Sequence, residues 1–339
     1  MTANPCVIKS CQLLIVFFVR ILPGLALSSC SPDAGDQITE PTSTPSLAPT
    51  VEIQKEDPTP ELTNTPTQTP DPILIPSPTA LFLKPTETPP PSATPSPVPP
   101  PSPIDEPGQV WVSPIDGAEM VGVPAGEFII GRDDAEYSRE QPAHTVFLAA
   151  YYIDKLEVTN DLYRACKEAG GCLEIERTEY FDNPNSHDHP VINVNKEMAR
   201  IYCRWAGKRL PTEAEWEKAA RGTDERTYPW GEGIDCDHAQ YKECGGQTVP
   251  VGSFPLGASP YGALDMAGNV WEWAPDLFLE DYYQNSPERN PTGETRGNEY
   301  VFRGGSWSES GQLLSSSDRT WYNLDAQYYN QGFRCVRTP

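Results

Sequence analysis

Basic residues are scarce in this chain, which has 25 Lys and Arg against 48 Asp and Glu and a formal net charge of −23. A surface this acidic repels the phosphates of nucleic acids and anionic lipid headgroups. Nucleic-acid-binding proteins are therefore excluded first, whereas small or cationic ligands, divalent metals and peptides remain. The sequence also lacks a phosphate-binding glycine-rich loop, a zinc-type C-x-x-C spacing and a nucleophile–base–acid motif.

A long uninterrupted hydrophobic run is missing as well. The apolar segment between positions 13 and 27 is interrupted by Arg20. It is therefore too short and too discontinuous for a typical transmembrane helix. Such a segment near the N-terminus is typical of a secretory signal. The Leu-Ser-Ser-Cys motif that ends at Cys30 resembles the lipobox of bacterial lipoproteins, so residues 1–30 are expected to be a signal peptide. Cys30 is then lipidated and anchors an exported protein in the cell envelope. Plain secretion and an uncleaved membrane helix are the alternatives.

Residues 31–107 contain 22 of the 38 prolines, with many Thr and Ser and hardly any aromatic residues. This composition offers too little apolar surface to offset the entropy of ordering the chain. Proline-rich repeats favour the extended polyproline conformation at about 3.1 Å per residue, so the segment reaches on the order of 200 Å at most. We predict a disordered stalk over residues 31–107 and one folded domain over residues 108–339.

The predicted domain contains an even number of cysteines. They are Cys166, Cys172, Cys203, Cys236, Cys244 and Cys335. In an exported chain this predicts up to three disulfides, whose pairing a sequence does not fix. Spacing favours Cys166 with Cys172 and Cys236 with Cys244, each closing a short loop, which leaves Cys203 for Cys335. Reactive or metal-binding thiols are the alternative interpretation.

Apolar periodicity and capping residues predict three helices and several short strands. Thr159 is a suitable N-cap for the first helix, and Thr212 and Glu215 form a capping box that opens the third. The predicted helices cover residues 160–169, 196–206 and 212–221, and the predicted strands lie in residues 121–131, 145–153, 300–303 and 332–337. Trp205 and Trp216 lie on the apolar stripes of two helices, so we expect them in the core. The predicted fold class is α+β with many loops.

Four sequence blocks follow one another along the predicted domain. They are ARIYCRWAGKRLPTEAEWE at residues 199–217, DMAGNVWEW at 265–273, RGGSW at 303–307 and GFRC at 332–335. Together they resemble the formylglycine-generating enzyme, or sulfatase-modifying factor, family. The resemblance implies a C-type-lectin-like, loop-rich α+β fold with little regular secondary structure. It also implies a disulfide between Cys203 and Cys335.

Active members of that family oxidise a cysteine of a sulfatase peptide to formylglycine with oxygen and a copper ion held by two cysteine thiolates. Those cysteines follow the Gly-Gly-Ser block, but the segment after Ser306 in this chain contains none. Glu309 stands about where the first thiolate is expected, and a carboxylate is too hard a ligand for Cu(I). Copper is therefore not expected. Iron is not expected either, because the histidines lack a spacing typical of an iron site. The four histidines are His144, His187, His189 and His238.

The turn that follows Gly268 is a candidate calcium site, because it offers an amide oxygen, backbone carbonyls and a carboxylate within five residues. The resemblance implies a structural calcium at this turn. Its side-chain ligands are then expected to be Asn269 and Glu272, with a carbonyl from Val270. A tight Gly-Asn turn closed by a surface glutamate is the alternative.

The aromatic residues near the C-terminus raise the question of a binding groove. Trp307 and Trp321 lie in the loop-rich C-terminal part, where they either line a groove for a ligand or pack in the core. If the groove exists, its polar lining is expected to come from Ser306, Glu309 and Arg303.

The sequence therefore predicts a cell-surface lipoprotein that displays this domain on a stalk. We expect it to bind a peptide or small ligand in the former active-site groove without copper-thiolate oxidation. Its expected partners are the membrane, through the lipid anchor, and a peptide or envelope protein, with no nucleic acid. Two alternatives remain open: an oxidoreductase of the formylglycine-generating or non-heme iron type acting on a protein or peptide, and a structural module of an envelope complex.

Overall fold

A computed structural model of the chain describes residues 100–294, 296–323 and 327–339. The predicted signal peptide with Cys30, and the predicted stalk up to residue 99, lie outside the described residues. Near the start of the described part Pro101 is buried, and the Gln109 side chain donates a hydrogen bond to the Pro103 carbonyl. Within the described ranges, no helix has the length and apolar character needed to cross a membrane.

Three α-helices form where the sequence predicts them, and each begins at a side-chain cap. They are α1 Asn160–Glu168, α2 Lys196–Trp205 and α3 Glu213–Arg221. The Thr159 hydroxyl accepts from a backbone N–H of α1, and the Asn195 side chain caps α2 in the same way. The capping box of Thr212 and Glu215 is complete, because each side chain accepts from the other residue's backbone N–H.

Within the residues that the structure describes, ten short strands form three small sheets. The strands are β1 Val110–Val112, β2 Glu119–Val123, β3 Gly126–Ile130, β4 His144–Leu148, β5 Tyr151–Asp154, β6 Trp271–Leu277, β7 Glu299–Arg303, β8 Arg319–Asn323, β9 Gln331–Gly332 and β10 Val336–Arg337. One sheet has the order β1-β2-β5-β10, a second pairs β3 with β4, and the third has the order β8-β7-β6-β9. Because β10 joins β5, the C-terminal segment of the chain lies against strands from the beginning of the domain.

The structure corrects several predicted strands. Residues 145–153 are not one strand: β4 and β5 are separated by Ala149 and Ala150 and pair in different sheets. Residues 332–337 likewise contribute to two strands, β9 and β10. The sequence analysis missed β6, because it is buried along most of its length and so lacks the alternation of apolar and polar residues that marks a half-buried strand.

The helices pack against different parts of the core. Trp216 of α3 is 1% exposed and packs with residues of β2 to β5, as predicted, whereas Trp205 of α2 is only half-buried. Helices α1 and α2 pack with β6 and with the C-terminal Phe333. Within the third sheet, Glu272 of β6 lies opposite Arg303 of β7. This pairing brings the two central sequence blocks together.

Candidate functional site

Two of the sequence blocks meet where β7 ends and β6 begins. The Gly268 N–H donates to the Gly304 carbonyl at 2.8 Å, and the Trp307 N–H donates to the Asn269 carbonyl at 2.9 Å. Gly305 follows with φ 75°, and a Cβ at this position would lie 2.6 Å from a leucine side-chain carbon. Only glycine fits such a turn without strain. The Gly-Gly pair therefore places the residues from 306 onward over the beginning of β6.

Glu309 lies at a cleft of about 250 Å³ between this loop and β8. Its lining includes Arg139, Trp271, Glu309, Leu313, Asp318 and Tyr322. Asp318 is neutralised by Arg139, whose guanidinium lies 2.7 Å away. The Glu309 carboxylate accepts from the Ser308 hydroxyl at 3.2 Å, and no cation of the described residues forms an ion pair with it. Glu309 is therefore the uncompensated negative charge of the cleft.

Trp271 lines the cleft and contains a buried hydrogen-bond donor. The residue is 2% exposed, and its indole Nε1–H has no acceptor among the described residues. A buried donor without a partner costs about 1–3 kcal/mol. The cleft thus combines one free carboxylate with the aromatic walls of Trp271 and Tyr322.

Of the predicted groove residues, only Glu309 lines this cleft. The prediction that Arg303 and Ser306 form its polar lining is wrong, because both side chains are fully buried. Trp307 is half-buried and lies near the Tyr329 ring. Trp321 is 37% exposed and stacks on a phenylalanine, with ring centroids 4.1 Å apart. Neither tryptophan belongs to the residues that line the cleft.

Arg303 belongs to a buried ion network beneath the site. Its guanidinium contacts Glu217 at 2.5 Å and Glu213 at 3.2 Å, and Arg319 contacts Glu213 at 2.7 Å. Burial alone would raise the pKa of Glu217, but the charges of Arg303 and Arg221 outweigh it and hold the pKa below its ordinary value. These residues join α3 to β7 and β8, and their role is structural.

The predicted calcium turn has a different set of contacts from the one expected. The Asn269 amide nitrogen donates to Glu157 at 2.7 Å, while its oxygen accepts from the Val249 N–H. Both carboxylate oxygens of Glu272 accept from the Arg334 guanidinium, and one also accepts from the Trp216 indole N–H at 2.8 Å.

Asn269, Val270 and Glu272 are close in sequence, but the side chains of Asn269 and Glu272 already form hydrogen bonds with other residues. Val270 contributes its N–H to Glu157 at 3.2 Å. The ligand set that the resemblance implied does not fit calcium in this arrangement. Within the ranges the structure describes, no group of three or more His, Cys, Asp and Glu is arranged to hold a metal ion.

The same region contains a buried acidic cluster that the sequence analysis missed. Glu157, Asp265 and Glu272 lie near one another and near the guanidinium of Arg334. Burial, followed by the charges of Asp265 and Glu272, raises the pKa of Glu157 well above its ordinary value. Burial raises the pKa of Asp265 to about 6. Glu157 is more than 100 residues from the others in sequence, so no local pattern reveals the cluster.

The cysteines form the three predicted disulfides. These are Cys166–Cys172, Cys203–Cys335 and Cys236–Cys244. All cysteines of the described residues are thus bonded, and none is available there as a thiolate ligand. The histidines lie apart, each with its own polar neighbours: His144 contacts Ser286, and His189 contacts Tyr180.

Comparison with known proteins identifies the family in which these sequence blocks occur. A sequence model described as "Sulfatase-modifying factor enzyme 1-like domain" matches residues 109–339. The formylglycine-generating enzyme of Streptomyces coelicolor is 32% identical over 297 residues, covering 68% of this chain and 92% of that enzyme. The structure of PvdO from Pseudomonas aeruginosa is similar, with a TM-score of 0.60 and 28% identity over 70% of this chain and all of PvdO.

A relative with a different name shares the domain as well. The serine/threonine-protein kinase pkn1 of Chlamydia caviae is 35% identical over 241 residues, which is 65% of this chain. The match spans only 38% of that kinase. The matched domain therefore occurs in relatives named for different activities. On the family match and the similarity to the Streptomyces enzyme, the chain belongs to the sulfatase-modifying factor, or formylglycine-generating enzyme, family.

Proposed function

We propose that this protein is a lipid-anchored envelope protein that displays a domain of the sulfatase-modifying factor family. The domain does not carry out copper-thiolate oxidation, and it binds a cationic group in the Glu309 cleft. The proposed cationic group is the lysine side chain of a peptide or a small amine. The observation that carries the proposal is the cleft itself, whose lining includes the uncompensated carboxylate of Glu309 and the aromatic rings of Trp271 and Tyr322.

The preference of Cu(I) for thiolate ligands supports a domain without copper-dependent oxidation. Cu(I) prefers soft thiolate ligands, and a carboxylate such as Glu309 is a poor substitute. The cysteines of the described residues are all held in disulfides, so they do not fit a copper centre. No step of the proposed function passes through copper.

The size and charge of the cleft support a cationic side chain as the ligand. About 250 Å³ is less than the roughly 300–1,000 Å³ of sites that enclose a whole drug-sized molecule, so one side chain is the better match. An ammonium group of the ligand pairs with the Glu309 carboxylate. The aromatic faces of Trp271 and Tyr322 also favour a cation.

Binding is tested with a pair of model compounds. Nα-acetyl-lysine N-methylamide carries the ammonium, whereas the norleucine analogue lacks only that charged group. We expect the lysine compound to bind more than about tenfold tighter by calorimetry, because a charge-assisted contact with Glu309 is lost in the analogue.

Glu309→Gln should remove this preference, while Glu176→Gln, at an exposed position outside the cleft, should leave it intact. Equal affinity for the two compounds, or a preference that survives Glu309→Gln, would contradict the proposed ligand class.

Oxidation is tested separately on the same protein. We expect no oxygen uptake and no aldehyde when the full chain is incubated with Cu(I) and a cysteine-containing peptide. Conversion of the peptide thiol to an aldehyde would contradict the proposal and favour an oxidoreductase. Glu309→Cys tests whether the residue at this position alone determines Cu(I) binding. The measurement is the amount of Cu(I) bound per chain after dialysis.

The proposed location is the cell envelope, with the lipid anchor at Cys30. Three disulfides support export, because disulfides form and persist in oxidising compartments. Cys30→Ala should move the protein from the membrane fraction to the soluble fraction of cells, whereas Cys11→Ala should not. Unchanged membrane retention of the Cys30→Ala chain would count against the anchor.

A further inference from the structure

The acidic domain contains a cavity whose charged lining is mostly basic. The cavity has a volume of about 690 Å³ and lies between α2, the start of α3 and the segments around residues 148–150 and 290–292. Its charged lining residues are Lys196, Arg200, Arg204, Lys208, Arg209 and Glu215. Five cations against one carboxylate is the reverse of the composition of the chain, which has almost twice as many acidic as basic residues.

The geometry of α2 produces most of this positive charge. Lys196, Arg200 and Arg204 are spaced four residues apart, so their side chains lie on one face of the helix. At a rise of about 1.5 Å per residue, the row spans about 12 Å. Met198 and Tyr202 on the other side of α2 are buried in the core, which fixes the basic face toward the cavity.

Two of the cations in the row have no carboxylate partner among the described residues, although the Lys196 ammonium lies over the Tyr300 ring, 3.4 Å from its centroid. Lys196 and Arg204 form no ion pair with a carboxylate in the described part of the chain, and Arg204 is exposed. Arg200 and Arg209, in contrast, each pair with a glutamate at 2.5 and 2.6 Å. The ammonium of Lys208 is buried between two aspartates. The net charge of the cavity rim therefore comes from Lys196 and Arg204.

The floor of the cavity is apolar. It is formed by Leu148, Ala149, Leu210, Pro275 and Pro291. A ligand that satisfies both parts of the cavity needs an anionic group for the α2 row and an apolar body for the floor. A volume of about 690 Å³ lies within the roughly 300–1,000 Å³ typical of small-molecule sites.

We propose that this cavity binds a small amphipathic anion, with its carboxylate, sulfonate or phosphate group at Lys196 and Arg204 and its apolar body on the floor. A concave site with an apolar floor fits a single molecule better than a membrane surface. The net negative charge of the chain also opposes approach to an anionic bilayer. The proposal is independent of the Glu309 cleft, whose residues do not line this cavity.

The test uses the anionic dye 8-anilinonaphthalene-1-sulfonate and its uncharged relative N-phenyl-1-naphthylamine. The protein is the full chain carrying Cys30→Ser, so that no acyl chain of its own binds the dye. We expect saturable binding of the sulfonate dye and at least about tenfold weaker binding of the uncharged one. Raising NaCl from 0.1 M to 1 M should weaken the binding of the sulfonate dye, because the Debye length falls from about 10 Å to about 3 Å.

Variants locate the bound dye. Arg204→Ala should weaken sulfonate binding by roughly tenfold and the Lys196→Ala/Arg204→Ala pair by more. Arg177→Ala, which removes an exposed arginine outside the cavity, should have no effect. Ala149→Trp keeps every cation and fills the floor from an exposed position, so it should block both dyes.

The proposal is overturned if Arg204→Ala and Ala149→Trp leave sulfonate binding unchanged, or if the two dyes bind alike. It is also overturned if phosphatidylglycerol vesicles bind the chain through Arg204 while the dye does not, which would make the row a membrane contact. Glu309→Gln should not alter dye binding, so failure here is distinguishable from failure of the proposed function.

Discussion

Replacing Arg334 with Met removes the guanidinium that lies among three buried carboxylates. In the native structure Arg334 contacts Glu272 through Nε and Nη2 at 2.7 Å, and it also donates to the backbone carbonyls of Asp154 and Leu264. The substitution leaves Glu272 with the Trp216 indole as its remaining donor among the contacts described above. Methionine fills much of the same volume, so the loss is mainly one of charge.

The expected magnitude follows from the burial of both partners, whose side chains are 0% exposed. Removing one member of a buried ion pair typically costs about 3–5 kcal/mol, because the other charge stays buried without compensation. With a urea m-value of about 2–3 kcal/mol/M, the midpoint of unfolding should fall by roughly 1–2 M. Urea titration of the disulfide-intact protein, followed by tryptophan fluorescence, measures this shift.

The deficit should also depend on pH. Burial, followed by neighbouring carboxylates, already raises the pKa of Glu157 well above its ordinary value, and Arg334 opposes that rise. An acid whose pKa is higher in the folded state than in the unfolded state loses its contribution to stability as the pH rises between the two values. Without Arg334 the pKa of Glu157 rises further, so the deficit of Arg334→Met should be largest near pH 7 and smaller near pH 5.

Two further variants make the experiment decisive. Glu272→Gln together with Arg334→Met should recover part of the lost stability, because it removes the uncompensated charge. Arg200→Met breaks an exposed pair with Glu197 and should cost less than about 1 kcal/mol. A deficit below about 1 kcal/mol for Arg334→Met, or one that does not change with pH, would refute the view of this cluster as a buried, charge-balanced unit.

Three other predictions concern stability. Replacing Cys203 and Cys335 together with Ala should lower the free energy of unfolding by about 4–5 kcal/mol in urea titrations, since the disulfide closes a sequence separation of 132 residues. Burial, followed by the charge of Glu213, raises the pKa of Asp276 to about 8, so the wild type should lose stability as the pH rises from about 4 to 8. Asp276→Asn should flatten that pH profile, and an unchanged slope would contradict the assignment. Thr212→Ala removes the N-cap of α3 and should cost about 1 kcal/mol, whereas Thr212→Ser should restore it.

The part of the fold that depends on neighbouring residues could be predicted. Thr159 and Thr212 cap the helices they were expected to cap, because capping needs only a side chain and backbone N–H groups within one turn. The short-loop disulfide of Cys166 and Cys172 also follows from spacing. Four sequence blocks were enough to indicate the family and its loop-rich α+β fold, which the family match confirmed.

Burial and long-range partners could not be predicted in this way. Arg303 and Ser306 were expected in a groove, but neighbouring segments cover them completely. Glu272 was expected to be free for a metal, yet its partner Arg334 lies 62 residues away. A motif shows which groups are near one another along the chain, and it does not show what packs over them.

The sequence by itself determined the charge of the chain, the helix starts and the absence of cysteines from residues 307–315, directly after Ser306. The tertiary structure decided which charges stay unpaired, because pairing depends on distances between segments that are remote in sequence. It left Glu309 without an ion pair among the described residues and placed Lys196 and Arg204 above an apolar floor. Those unpaired charges are what a ligand meets, since a charge already neutralised by its neighbour has little electrostatic attraction left to offer.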